Sequence, residues 1–356
     1  MEEARRMREY AIDGLFLMQK STGTQRYACE ILRELDKLLT DIDVVIVVPE
    51  SFEGNIEYLN IRAIKYGKMK GIPWEQINFA AYLLKTRRRG VFLNNIVTLM
   101  VPHGIIAIHD VCYKAKPEFY ETQRDKLSMI WHRLNYWVAL HSKMNIITVS
   151  KFSKSEILKW YTTNEKKITV VYSAWQHMKC IEESIDVFEK YNLEKGRYYF
   201  SLSTLGANKN FRWILHAAKN NPDEIFAIAG GGKLKGAAEA TGFVNLPNVK
   251  FLGYILDSEI KSLMHYCKGF LFPTLYEGFG LTPLEAIACG ASNIVVSDTP
   301  CMHEIYGDEV TYVDPNNIEK QMLQGRKVDS EKLLIKYSWQ KSAKILKDLM
   351  IRQESL

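Results

Sequence analysis

The 356-residue sequence lacks any apolar run long enough to cross a bilayer. Its apolar runs are short, such as "VVIVV" at 44–48, where a spanning helix needs about 20 residues. A chain of this kind meets a membrane only by lying on it. The stretch MEEARRMREYAIDG lacks an apolar core of signal-peptide length, so no leader is expected. Cysteine is sparse: six residues, at 29, 112, 180, 267, 289 and 301, with no Cys-x-x-Cys spacing and no nearby histidine partners. That argues against a zinc site or a disulfide framework and fits a reducing cytoplasm. Repeats and low-complexity segments are missing as well.

What is present is an ordinary globular composition, 47% hydrophobic and 25% charged. At roughly 150 residues per domain the length suggests two domains. The net charge of +6 is uneven. Residues 1–165 hold 24 Lys+Arg against 19 Asp+Glu, net +5, and residues 166–356 hold 23 against 22, net +1. A basic first half suits anionic partners, either lipid headgroups or phosphorylated substrates, and equally a plain solvated surface.

Short β-branched runs alternate with helical stretches along the chain. Strands are expected at Tyr10–Ile12, Val44–Val48, Ile105–Ile108, Ile146–Val149, Thr169–Tyr172, Tyr198–Leu202, Ile225–Ala229, Val249–Leu252, Gly269–Pro273 and Asn293–Val296. Between them, Gln25–Leu39 places Tyr27, Ile31, Leu35 and Leu38 on one helix face, and Asp125–Ser142 and Ser153–Tyr161 read as similar amphipathic helices. Such alternation implies parallel sheets covered on both faces. The break between the two units falls near 173–195. The last segment, "YSWQKSAKILKDLMIRQ", is a helix with Trp339, Ala343, Leu346 and Met350 on one side. It could close the second unit or cross back to the first.

Ligands of open α/β sheets bind at the carboxyl ends of strands, and four such ends carry chemistry. The first is "FPTLYEGFGLTPLEAIACG", Phe272–Gly290. Thr282 reads as an N-cap with Pro283 at the first helical position, and Thr282-x-x-Glu285 reads as a capping box. That leaves Glu277-Gly278-Phe279-Gly280 without a structural role. Glycines there let backbone amides approach a phosphate beside a helix start, while an acid there suits neutral hydroxyls. A ligand with both groups is a sugar nucleotide. The second end is "LSTLGANKNF", where Lys209 can neutralise phosphate. The third is "STGTQRY", where Gly23 opens a helix. The fourth is "IIAIHDVCY", where His109 can donate to a sugar hydroxyl or act as acid or base. Three other stretches carry less. "DID" at 41–43 precedes a strand and reads as turn residues. "KTRRRG" at 85–90 reads as a solvated charge run. "AGGG" at 229–232 has neither a P-loop nor a dinucleotide spacing.

Taken together, these residues resemble the retaining glycosyltransferases of family 4, which have the GT-B fold. Glu277 and Glu285 match the family's Glu-x7-Glu signature, and "STGTQRY", "IHD" at 108–110, "TVSKFSKSEI", "NKN", "FLGYI", "VVSDTPCMHEI" and "YVDP" extend the likeness over nearly the whole chain. The resemblance implies an α/β chain of two Rossmann-like domains with parallel sheets facing a cleft. Residues 1–172 would form the acceptor domain and 173–337 the nucleotide-sugar domain, and 338–356 would form a helix crossing back to the first. It implies catalytic roles for His109, Lys209 and Glu277. Gly23, Asn208, Tyr254, Ile255, Gly278, Phe279, Gly280, Leu281 and Glu285 would bind the donor, with Glu285 on the ribose and Tyr254-Ile255 near the base. Asn208 stands where many family members carry arginine, so Lys209 would bear more of the diphosphate charge, with Arg26 or Arg212 as possible help.

The implied activity is metal-independent, retaining transfer of a hexose or deoxyhexose from a nucleoside-diphosphate sugar to a glycan hydroxyl. The sugar nucleotide is a co-substrate, and no cofactor is implied. The acceptor would be lipid-linked, in polysaccharide or O-antigen assembly, at the cytoplasmic face of a membrane that the protein touches peripherally. No nucleic-acid partner is expected. A GT-B-fold sugar-nucleotide epimerase, or a non-catalytic binder of sugar nucleotides, are the alternatives.

Overall fold

A computed structural model of the protein describes residues 8–20, 22–202, 206–231, 236, 238, 242–243 and 246–352. Ser21 of "STGTQRY", residues 203–205 of the Lys209 loop and Gly232 of "AGGG" lie outside the described residues. The chain divides into two compact units, Met1–Ser173 with Trp339–Leu356, and Ala174–Ser338.

The first unit holds seven strands: β1 (Arg8–Asp13), β2 (Ile42–Val48), β3 (Arg62–Lys65), β4 (Arg89–Phe92), β5 (Gly104–Ala107), β6 (Asn145–Thr148) and β7 (Ile168–Val170). They pair in the order β3-β2-β1-β4-β5-β6-β7, all parallel. The second holds β8 (Tyr198–Leu202), β9 (Ile225–Ala229), β10 (Val249–Gly253), β11 (Gly269–Phe272), β12 (Ile294–Ser297) and β13 (Thr311–Val313). Their order is β10-β9-β8-β11-β12-β13, again all parallel. The strands are apolar because helices bury both faces of a parallel sheet. Each order turns back once, between β1 and β4 and between β8 and β11, which is the doubly wound arrangement with a ligand crevice at the reversal.

Three strands, β3, β4 and β13, were not evident as apolar runs. β3 is an edge strand of sequence RAIK, largely exposed, and edge strands carry charges that block further pairing. β4 begins inside "KTRRRG", so that stretch is not simply a solvated charge run. Arg88 is ion-paired with Asp43, and both side chains are largely buried. Asp43 in turn lies on β2, not in a turn, and Arg62 reaches it at 3.1 Å. These partners account for the second acid of "DID".

The terminal helix Trp339–Arg352 packs on helix Gly23–Leu38. Trp339, Ala343, Leu346 and Met350 are buried. Around this seam the Tyr10 hydroxyl donates to the Met350 carbonyl at 2.8 Å, Ser342 Oγ to Tyr172 O at 2.6 Å and Lys347 Nζ to Leu38 O at 2.7 Å. The Tyr27 ring meets Trp339 edge-on at 5.7 Å. Helix Gln123–His141 departs from the expected one-sided pattern: it buries Tyr136, Ala139 and Leu140, yet Leu127, Ile130, Leu134 and Trp137 are exposed on it.

At the end of β1, Asp13 meets Glu75 of the π-helical segment Trp74–Phe79, and both carboxyls are buried. Burial raises the titration of both above the ordinary carboxylate range, and the Asp13 charge raises Glu75 further. A hydrogen bond from Glu75 and another from the Leu15 amide, at 2.9 Å, favour Asp13 as the charged partner. Glu75 therefore keeps the shared proton. A carboxyl with a raised folded-state value supports the fold at low pH and loses that support as pH rises above its ordinary value of 4.5. Glu75→Gln keeps the donated hydrogen bond and cannot ionise. The midpoint of thermal unfolding of that variant, followed upward from pH 4.5, falls less than that of the parent.

Candidate functional site

The reversal between β8 and β11 sends the connections that follow them to opposite faces of the sheet, leaving backbone at the strand ends open to a ligand. Lys209 lies in the connection after β8 and Glu277 in the one after β11. Lys209 ends a single 3-10 turn, Ala207–Lys209. Asn210 follows in the left-handed region, φ 52°, and turns the chain into helix Phe211–Asn220. Asparagine tolerates that conformation. Its amide Nδ2 donates to Pro273 O at 2.8 Å and Pro315 O at 2.7 Å, so the β8 loop is stitched to the β11 loop. Asn208 adds to the seam: the Leu275 amide donates to its carbonyl at 2.7 Å, and its Nδ2 donates to Tyr276 O at 3.4 Å.

The result is a direct pair, Lys209 Nζ to Glu277 Oε1 at 2.8 Å, with side chains 28% and 14% exposed. Nζ also stands 5.3 Å from the Phe272 ring centre, a cation–π contact. An ammonium has three donors and a carboxylate about four acceptor positions. After pairing, Lys209 retains donors for an anion, and Glu277 retains acceptors for hydroxyls.

The glycine stretch is held from behind. Gly280 has φ 79° and is itself the N-cap of helix Leu281–Ala288. A Cβ there would sit 2.5 Å from Met302 Cε. The Tyr306 hydroxyl donates to the Gly280 carbonyl, and the Phe279 ring meets Tyr337 edge-on at 5.4 Å. Gly278 is buried beside them. The expected capping box is therefore absent: Thr282 and Pro283 are the second and third helical residues, because the positive φ of Gly280 ends the preceding turn earlier. The amides of Leu281 and Thr282 are among the four that every helix start leaves without intrahelical partners, and proline at the third position removes a donor that has none.

Glu285, released from capping, points to another partner. His177 Nε2 stands 2.9 Å from its Oε1. His177 is buried on the short turn Gln176–Cys180, which the Trp175 indole anchors by donating to Leu334 O at 2.9 Å. No sequence signal marks His177, a lone histidine in a segment without periodicity. Tyr254 and Ile255 follow β10 at the sheet edge, the first exposed and the second buried. β10 lies two strand spacings, about 10 Å, from β8, so Tyr254 and Ile255 stand apart from the Lys209–Glu277 pair.

In the first unit, Gly23 opens helix Gly23–Leu38 behind the N-cap Thr22. An added Cβ meets nothing within 4 Å, so packing does not require glycine there. The Thr22 amide donates to Gln25 Oε1 at 3.2 Å, and Gln25 Nε2 donates to Gln19 Oε1 at 2.7 Å and to Asn94 Oδ1 at 3.2 Å. His109, after β5, is buried edge-on against Tyr27 at 4.8 Å. Its Nε2 donates to the Leu93 carbonyl at 2.9 Å, and burial depresses its titration to about 4. The ring is neutral at pH 7. With Nε2–H on Leu93, its other nitrogen, Nδ1, is an acceptor. Donation through Nε2 to a sugar hydroxyl is therefore closed while that bond stands. Among the described residues no three His, Cys, Asp or Glu side chains converge as metal ligands.

Residues 183–328 match the family model of glycosyl transferases group 1. The O-antigen chain mannosyltransferase B of Escherichia coli is 25% identical over 331 residues, covering 84% of each chain. The O-antigen chain mannosyltransferase RfbU of Salmonella typhimurium is 23% identical over 321 residues, covering 85% of each. In structure, Anabaena Alr3699/HepE in complex with UDP and glucose superposes with a TM-score of 0.61 at 17% identity, over 98% of this chain and 100% of that one. The two doubly wound sheets, the Lys209–Glu277 pair at the second reversal and these matches make the chain a glycosyltransferase of GT-B fold, with a group 1 glycosyl transferase domain over residues 183–328.

Proposed function

We propose that the protein transfers a hexose from a nucleoside-diphosphate sugar to a hydroxyl of a lipid-linked glycan during O-antigen or polysaccharide assembly. The stereochemistry would be retained, as in family 4, and no metal ion would be needed. Mannose is the first sugar to test, because two relatives are named O-antigen chain mannosyltransferases. One observation carries the reading: a lysine and a glutamate from separate loops, 2.8 Å apart at the strand-order reversal of the second sheet.

In this reading the bond from the anomeric carbon to the diphosphate oxygen breaks, and a bond to the acceptor oxygen forms on the same face. The acceptor proton passes to the leaving phosphate oxygen. Lys209 and the backbone amides from Gly278 to Leu281 meet the charge that develops on the diphosphate, an electrostatic contribution of the oxyanion-hole kind. Glu277 accepts from hydroxyls of the transferred sugar. Glu285 accepts from the ribose, its orientation set by His177. Asn208 positions Lys209 through its seam to the β11 loop, and the backbone at Tyr254-Ile255 meets the base. In the first unit, Gly23 offers an open helix start to phosphate, and His109 accepts from a sugar hydroxyl as a neutral ring.

Three variants test these roles. Lys209→Ala is expected to lower kcat about a hundredfold or more with unchanged circular dichroism, and near-normal turnover with a mannose nucleotide panel would sink the assignment. Gly23→Val, with open space for its side chain, should unfold at the parent's temperature yet bind donor more weakly in a calorimetric titration. For His109 the sign is set by burial. A base whose folded-state value is depressed supports the fold fully above its ordinary value of 6.5 and loses that support as pH falls toward about 4. The drop is about 3 kcal/mol at most. His109→Gln, which retains a donor for Leu93 O, should remove that part of the acid destabilisation in urea unfolding.

A further inference from the structure

The first sheet reverses its strand order between β1 and β4, and a ligand crevice is expected where their carboxyl ends part. A recess lies there. Its apolar walls are Leu15, Phe16, Phe92 and Ile96, and its polar members are Asp13, Glu75 and Asn94. It is too narrow for a sugar ring, so what enters is a single projecting group. Asn94 is fixed on the wall: its Nδ2 donates to Gln19 Oε1 at 2.8 Å, and its Oδ1 accepts from Gln25 Nε2 at 3.2 Å. Leu93, its neighbour on the same wall, accepts from His109 Nε2 at 2.9 Å. The recess therefore adjoins the histidine that the transferase reading places on a sugar.

The two acids are costly to the fold. Buried carboxyls without a cation beside them lose hydration, and among the described residues no lysine or arginine pairs with Asp13 or Glu75. Apolar side chains of similar volume would fill the place at lower cost. Asp13 is satisfied by the Leu15 amide at 2.9 Å and by the proton that Glu75 shares with it. Glu75, 4% exposed, is not satisfied: its Oε2 is buried with no hydrogen-bond partner. Buried polar atoms are nearly always paired, so an open acceptor on a recess wall marks the place of a ligand's donor. A phosphate would meet two acids and be repelled. A hard cation takes about six oxygens, and among the described residues no third acid or histidine converges with these two. A hydroxyl is small and neutral, and it donates to Oε2.

We propose that this recess reads one hydroxyl of the acceptor glycan, with Glu75 Oε2 accepting from it and Asp13 holding Glu75 in place. Glu75 is then a specificity-determining residue and Asp13 its positioning partner. An acceptor lacking that hydroxyl, or carrying it in the opposite configuration, leaves Oε2 buried and unpaired, which is how a polar site rejects a near-identical ligand. Naming the ligand as the acceptor rests on the transferase reading; that a sugar hydroxyl enters the recess does not.

The test is saturation-transfer NMR of the full chain with the methyl glycosides of mannose, glucose and galactose and their monodeoxy forms. It needs neither donor nor turnover, so its outcome is separate from that of the Lys209→Ala assay. One glycoside should receive saturation, and removal of one particular hydroxyl should weaken its binding roughly tenfold or more. Glu75→Met lacks the acceptor oxygen and should bind that glycoside and its deoxy form alike. Glu75→Gln keeps a carbonyl oxygen there and should restore the difference, a rescue that a purely structural role would not produce. Ile96→Phe, at a half-buried wall position, fills the recess without touching the acids and should abolish the preference even if Glu75→Met fails to fold. Saturation of no glycoside would overturn the proposal, as would deoxy forms that all bind like their parents. So would a preference that survives in folded Glu75→Met or in Ile96→Phe. Tighter binding of methyl glucosaminide than of every neutral glycoside would assign the recess to an ammonium group and overturn it too.

Discussion

Both sheets are parallel, and each turns its strand order back once. That constraint governs the rest. A parallel strand must be followed by a crossover, and crossovers are right-handed. At a reversal, neighbouring strands send their crossovers to opposite faces, and the loops between them part. In the second unit the parted loops follow β8 and β11, and they bring Lys209 and Glu277 together from positions far apart in sequence. In the first, Asp13 ends β1, Gly23 opens the helix that follows it, and Leu93, just past β4, accepts the hydrogen bond from His109 Nε2 with its carbonyl.

In the proposed reading, the second unit resolves an electrostatic conflict. An acid beside a diphosphate site would repel its ligand. Glu277 and Glu285 each have a local partner, Lys209 and His177, so each carboxylate is held in a fixed direction. In the proposed reading, glycine backbone and a helix start remain for the phosphates, and the acids are turned to hydroxyls. The support is built from aromatic and amide side chains behind the loops: Tyr306 on the Gly280 carbonyl, Phe279 against Tyr337, Asn210 between two proline carbonyls. Such support lets short loops keep one conformation.

Two helices of the first unit distribute apolar surface differently. Helix Gly23–Leu38 is covered by the terminal helix, so its apolar stripe faces protein. Helix Gln123–His141 has one covered face and one bare face, both apolar. In sequence the two helices look alike, because periodicity reports which residues share a face and not what covers it.

Much of the fold was legible from residues alone. The apolar strands Tyr198–Leu202 and Ile225–Ala229 coincide with the observed ones, and the stripe Trp339, Ala343, Leu346, Met350 marked a buried helix face, though not which unit it would cover. β3 and β4 were hidden because they are short and charged, and their membership depends on partners, such as Asp43 for Arg88, that lie dozens of residues away. Glu277 stood out because no local role accounted for it. Glu285 was legible as an acid at a helix start, and its local reading as a cap was wrong, since a glycine with positive φ took that position. The sequence by itself determined where strands, helices and reactive side chain types fall, because these follow from periodicity and local backbone preference. Only the tertiary structure decided that Lys209 meets Glu277, that His177 meets Glu285 and that one apolar helix face stays bare. Those outcomes depend on strand order, which joins residues that no local pattern connects.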